Sequence, residues 1–161
     1  MGKLDLLKAL YGEVLVPEAV WRELMRPVAE AWEELPRYVT PLLKARAEGW
    51  LRVEAVRSPK ALELLNGLKH LDLGEREAIA LAIERGIQVV LTNDKVAHDE
   101  ALTRGLKPRW FTQILLEALE KGLLDADEYV QTLVRAVRSG LWVSKEVLKR
   151  AVELARRAQA R

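Results

Sequence analysis

Three acidic residues stand where a parallel α/β fold does its chemistry. Asp94 closes the turn Thr92-Asn93-Asp94, directly after the apolar run Val89-Val90-Leu91. Glu75 lies in the first turn of Asp72-Leu73-Gly74-Glu75-Arg76-Glu77, and Glu23 follows the run Val14-Leu15-Val16-Pro17 by about two helical turns. In open parallel sheets, ligands bind at the carboxyl ends of the strands. Residues just after the two apolar runs are therefore the first candidates. Carboxylates drawn together repel one another, so a cluster of them needs a cation to be stable. The chain has no cysteine and only two histidines. Its available ligands are hard oxygens, which suit magnesium or manganese. Magnesium held by carboxylates beside a phosphate activates water and neutralises developing charge, which is the chemistry of phosphodiester hydrolysis.

Each candidate has a structural reading as well. Asp72 and Glu75, three residues apart, fit a capping box, and that role is compatible with a functional one. Asp94 fits a helix N-cap. Glu23 fits a solvated helix position, and Glu77 a surface partner of a basic residue. His70 and His98 are flanked by charge and read as surface histidines. The tryptophans Trp21, Trp32, Trp50, Trp110 and Trp142 are dispersed, as core or interface anchors are. They do not interleave with basic residues as a base-stacking platform would.

The elements that must position these residues follow from apolar spacing and breakers. Leu4 to Tyr11 reads as a helix stopped by Gly12, and Val14 to Val16 as a buried parallel strand. Pro17 suits the first position of the next helix, which Pro27 should interrupt or end. Residues 28–48 read as two short helices broken at Pro36 and Pro41. Leu51 to Val56 alternates like an edge or half-buried strand, and Leu62 to Lys69 reads as a short helix. Asp72 to Arg85 is the clearest helix: Asp72 caps it, Ala78, Ile79, Ala82 and Ile83 form its buried face, and Gly86 ends it. Val89 to Leu91 is a second buried strand. A helix capped by Asp94 runs from there to Gly105, and Arg109 to Phe111 is a last short strand. Helices follow at about 112–121, 125–138 and 144–158. The alternation implies parallel strands with right-handed crossovers. The last helix carries Lys145, Lys149, Arg150, Arg156 and Arg157 beside Val147, Leu148 and Val152, as a docked amphipathic helix with a solvated basic face does.

Composition narrows the class. The length of 161 residues is about one domain, half of them hydrophobic. No apolar run is long enough for a membrane span and no signal-peptide core opens the chain, which implies a cytoplasmic protein. The net charge of +2 is weak support for a polyanionic partner. Asparagine occurs only at Asn66 and Asn93, and low amide content with abundant charge is a thermophile pattern.

The segment Gly12-Glu13-Val14-Leu15-Val16-Pro17-Glu18-Ala19-Val20-Trp21-Arg22-Glu23-Leu24 resembles a stretch of PIN-domain proteins. Leu73 to Ala82 resembles the "G-E-x-E-A-I-x-L-A" helix start of a bacterial and archaeal PIN branch similar to VapC-type toxins. Thr92-Asn93-Asp94 matches the strand-end T-x-D, and Glu117 to Leu124 the "A-x-x-K-G-L" helix end. The resemblance implies a three-layer α/β/α fold with a short parallel sheet and a magnesium- or manganese-dependent endoribonuclease. Glu23, Glu75 and Asp94 match the second, third and fourth acidic positions, and Thr92 a supporting hydroxyl. It also implies RNA as substrate, an antitoxin partner and homo-oligomers. Residues 1–124 form the PIN-like domain on this reading, and residues 125–161 a C-terminal helical extension packed on it.

Relatives begin with an interior strand ending in aspartate, ahead of a segment matching Lys3-Leu4-Asp5-Leu6-Leu7-Lys8. Asp5 lies on a helix and cannot be that aspartate. A sheet without the strand should open a gap between strand pairs and leave backbone groups unpaired. Either the given sequence starts at a late methionine, or the gap is closed through oligomerisation or a partner's strand. Two competing functions follow: a non-catalytic interaction module whose acids are only caps, and a nucleic-acid binder using the basic C-terminal helix.

Overall fold

Two separate pairs of short parallel strands organise the first part of the chain. The computed structural model describes residues 3–160. Helix α1 (Lys3–Tyr11) turns at Gly12, whose φ of 73° is left-handed, into strand β1 (Val14–Pro17). Helices α2 (Glu18–Ala29) and α3 (Val39–Ala47) cross over to β2 (Leu51–Glu54). β2 lies parallel to β1, with Val14 opposite Leu51 and Pro17 opposite Glu54. Helices α4 (Pro59–Gly67) and α5 (Leu73–Arg85) lead to β3 (Val89–Leu91). Helix α6 (Lys95–Thr103) then crosses to β4 (Lys107–Arg109), parallel to β3 with Val89 opposite Lys107.

The expected α/β class with short parallel strands is present, and the sheet is divided. Among the described residues no ladder joins β1 to β3, which is the gap expected between strand pairs. Each pair carries its own apolar cluster. Val16, Trp21, Leu42, Ala45, Trp50 and Leu51 close around the first. Leu68, Leu71, Ile79, Val90, Ala101 and Leu106 close around the second. Helix α5 serves both, because it packs on β1, β3 and α2. Gly74, Ile79, Ala80, Leu81 and Ala82 are all buried on it, so its apolar surface is wider than one stripe, as a central helix requires. Ala78 and Ile83, expected on the buried face, are partly buried against the second cluster.

Prolines and caps moved several boundaries. Pro17 closes β1 and serves as N-cap of α2 instead of opening the helix, and its ψ of 149° is extended. Pro27 lies within α2, which continues to Ala29. It has no N–H to offer the Glu23 carbonyl four residues back. Between 28 and 48 one separate helix forms, not two, and Pro41 sits in its first turn where an N–H is not needed. Helix α4 starts at Pro59, earlier than expected, because the Ser58 hydroxyl accepts the Ala61 N–H at 3.2 Å. The last strand ends at Arg109, and Trp110 instead caps a helix, its N–H donated to Gln113 at 2.9 Å.

The chain divides into two compact units, the first ending at Arg109 and the second beginning at Trp110. The second unit is helical: α7 (Phe111–Glu120), α8 (Ala126–Arg138) and α9 (Lys145–Gln159). Helix α8 packs against both neighbours. Leu115, Tyr129 and Leu133 form its buried centre.

Candidate functional site

Local backbone chemistry fixes each candidate acid. Asp72 accepts the Glu75 N–H at 2.9 Å and caps α5, which ends at Gly86 in a left-handed conformation. Glu75 is thereby held in the first turn of α5. After β3 the chain turns through Thr92, whose hydroxyl accepts the Asp94 N–H at 3.1 Å. This is the local side-chain-to-backbone bond by which threonine shapes turns. Asp94 in turn accepts the Ala97 N–H at 2.8 Å and caps α6. The bland readings of Asp72 and Asp94 as caps are therefore correct as far as they go.

Glu23 depends on how α2 meets α5, and two residues set that meeting. Pro17 offers α2 no side-chain cap. The Ala19 N–H is taken instead by the Glu77 carboxylate of α5, at 2.8 Å across 58 residues of sequence. Glu77, expected to be a surface partner of a basic residue, is an inter-helix cap. Gly74 sets the spacing: a Cβ there would meet the Val20 side chain at 3.0 Å. The glycine of the Gly74-Glu75 pair thus lets α2 come close enough to bring Glu23 beside Glu75.

The result is a small acidic pocket of about 160 Å³, bordered by Glu23, Asp72, Glu75 and Thr92 above Ile79, Val90 and Ala97. It lies at the carboxyl end of β3, beside the helix that follows β1, where parallel folds bind ligands. Asp94 does not line it, yet its charge reaches Glu75. The pKa of Glu75 is raised, first by burial, then by the charges of Asp72 and Asp94, with Glu23 a smaller cause. The Asp72 N–H opposes this by hydrogen bonding to the Glu75 carboxylate. Glu75 is thus a partner in the cap and a member of the acid cluster at once. Asp72, read from the sequence only as a cap, is the acid whose charge Glu75 feels most. Its spacing of three residues from Glu75 was the available signal.

The donor chemistry suits a hard divalent cation: carboxylates and a hydroxyl, with no sulfur and no imidazole. Among the described residues no three His, Asp or Glu side chains are grouped to hold a metal. Glu23 and Asp72 are exposed at the rim of the pocket.

Other candidates fall away from this pocket. His70 pairs with Glu100 at 2.8 Å on the surface. His98 is less exposed than expected, with 15% of its side chain accessible, and lies 3.8 Å from Asp99. Trp21 and Trp50 are core residues as expected, with Arg46 stacked over Trp21. Trp142 is 83% exposed and anchors no core. No helix among the described residues is long and apolar enough to cross a membrane.

A family model described as a PIN domain matches residues 1–157. No curated protein and no solved structure shows significant similarity to the chain.

Proposed function

The chain belongs to the PIN-domain family, a nuclease-like fold whose members generally use a divalent metal, and from that premise we propose a metal-dependent endoribonuclease of the toxin type. On this reading Glu23, Glu75 and Asp94 are the magnesium or manganese carboxylates, Asp72 assists them, and Thr92 supports the turn that carries Asp94. RNA is the substrate. An antitoxin protein and further copies of the chain are the partners, as is common for PIN domains.

The observation that carries the proposal is the like-charge environment of Glu75. Burial and three neighbouring carboxylates raise its pKa in a pocket at the end of β3. Uncompensated acids of this kind are costly, and such clusters mark functional sites. A cation there would supply the positive charge that a scissile phosphate and an attacking water both need. The protein's own part is to orient. Asp72 fixes the Glu75 backbone, Thr92 fixes that of Asp94, and Glu77 and Gly74 hold α2 so that Glu23 faces them.

Purified protein should cleave single-stranded RNA only with magnesium or manganese, and Glu75→Gln and Asp94→Asn should each lower the rate at least about a hundredfold. Equal cleavage by wild type and both variants would remove the site assignment. A second reading, a non-catalytic interaction module of PIN fold, is favoured by the absence, among the described residues, of three His, Asp or Glu side chains grouped to hold a metal. A thermal-melt titration separates the two: a nuclease site raises Tm with millimolar magnesium or manganese, and an interaction module does not.

A further inference from the structure

Beyond Glu23, helix α2 runs past the helix it is docked on. The Ala19 N–H meets Glu77, Val20 meets Gly74, and Glu23 borders the pocket with Asp72 and Glu75, so α2 has reached the start of α5 at the pocket. It then continues to Ala29. Arg26, three residues after Glu23, shares its side of the helix. A Schellman turn ends α2: the Trp32 N–H bonds to the Pro27 carbonyl at 3.0 Å and the Ala31 N–H to the Val28 carbonyl at 3.2 Å. Such a turn needs a left-handed residue, commonly glycine. Here it is Ala31, with φ of 50°, the one non-glycine residue at positive φ among those described. Alanine there carries a steric cost that glycine would not, and local strain of this kind collects at functional sites.

The turn brings Trp32 back onto the last turn of α2. Its ring centroid lies 6.0 Å from the Arg26 guanidinium carbon. Glu30 ties the two together, accepting the indole N–H at 2.9 Å and lying 3.9 Å from Arg26. The dispersed spacing of the tryptophans in sequence hides this pairing. Trp32 is still 44% exposed, so the indole is covered on one side and open on the other.

We propose that Trp32 is a base-stacking residue for single-stranded RNA, taking an unpaired nucleobase on its open face a few nucleotides from the phosphate at the acidic pocket. This rests on the nuclease reading of that pocket. At 1.5 Å per residue, the end of α2 lies about 10 Å past Glu23, the length of about three stacked nucleotides. Bases stack on aromatic side chains whatever their sequence, because each has a π-face. A ring already fixed by a turn, a cation and a carboxylate loses little freedom when a base settles on it. Charge decides between base and backbone. Glu30, Glu33 and Glu34 flank the indole in sequence and repel phosphate there. Arg22 and Arg26, both exposed, flank Glu23 on α2 and suit the phosphates between pocket and indole. Trp32 therefore supplies stacking, and a duplex, whose bases are already stacked, has none free to meet it.

The test uses the full chain and a short fluorescent RNA. Binding is read by anisotropy with calcium in place of magnesium, and cleavage with magnesium is a separate readout. Trp32→Ala should weaken binding about tenfold or more, and Trp32→Phe should keep most of it. An abasic nucleotide moved along the RNA should reveal a position whose missing base costs wild type a similar factor and costs Trp32→Ala nothing further, the coupling expected of groups in contact. Duplex RNA of the same sequence should bind both proteins equally. Equal binding of single strands by wild type and Trp32→Ala, abasic losses that add to the mutation at every position, or an equal loss with duplex each overturns the proposal. If wild type cleaves RNA with magnesium in those cases, the nuclease reading stands without it. Wild type that neither binds nor cleaves RNA overturns both, and leaves Trp32 as a contact for a protein partner.

Discussion

Glu75 carries the electrostatic cost of the acidic pocket, and that cost has a sign that can be measured. Its pKa is raised in the folded protein, so the native state binds its proton more tightly than the unfolded chain does. Stability contributed by this group is then greatest at low pH and declines as pH rises through the unfolded and then the folded pKa. Glu75→Gln keeps the shape and removes the charge. The variant should melt higher than wild type at pH 7 to 8, and the difference should vanish below the ordinary carboxylate range. Magnesium, if held at the pocket, should shrink the difference at pH 7 by stabilising only the wild type. A variant that melts no higher than wild type at neutral pH would mean the like charges are not felt. Glu23, Glu75, Thr92 and Asp94 were legible as candidates because strand ends and turn residues mark them in one dimension. The cap role of Asp72 was legible too, but its charge on Glu75 was not, and Glu77 was misread as a surface partner, because those contacts reach other elements or charges that local spacing does not display.

At the scale of elements, the junction of α2 and α5 decides where Glu23 points. The Glu77 carboxylate holds the free amino end of α2. Glu77→Ala should cost about 1–2 kcal/mol, the range for losing a helix cap, read from chemical denaturation. If Glu77 instead served only as a surface charge, the loss would stay within about 0.5 kcal/mol. Gly74→Ala tests the spacing between the helices. Alanine favours a helix over glycine by up to about 1 kcal/mol, but its methyl would press on Val20, a side chain stiff at χ1. Overpacking typically costs about 1–3 kcal/mol, so the net change should be destabilising by up to about 2 kcal/mol. A Gly74→Ala protein more stable than wild type would show that the helices can part without cost. Helix types and their order were readable from period and breakers. Proline positions were less so, because a proline is tolerated in any first turn and at a helix end, and neighbouring packing chooses among these.

Across the whole molecule, α5 is the shared support of two strand pairs that do not bond to each other. Ile79 is 1% exposed on it, within the cluster around β3 and β4. Ile79→Ala should cost about 2–5 kcal/mol. Because α5 also packs on β1, exchange protection should fall around both strand pairs, not around β3 alone. Loss confined to β3, β4 and α6 would mean that the halves of the first unit unfold independently. Helices α7 to α9 form a unit of their own, so Leu133→Ala, at a position 1% exposed, should expose amides in α8 and α9 while leaving those of β1 and β2 protected.

Taken alone, the order of residues determined the α/β class, most helices and strands, and the family, because these rest on period, caps and short motifs that are local in the chain. It also pointed to a gap in the sheet through the resemblance. Only the tertiary structure decided that Gly74 and Glu77 dock α2, and that Asp72 and Asp94 press on Glu75. Those are contacts between residues far apart in sequence or turned toward a shared space. Hydrogen-bond direction, close approach and Coulomb repulsion depend on distances that a one-dimensional spacing does not contain.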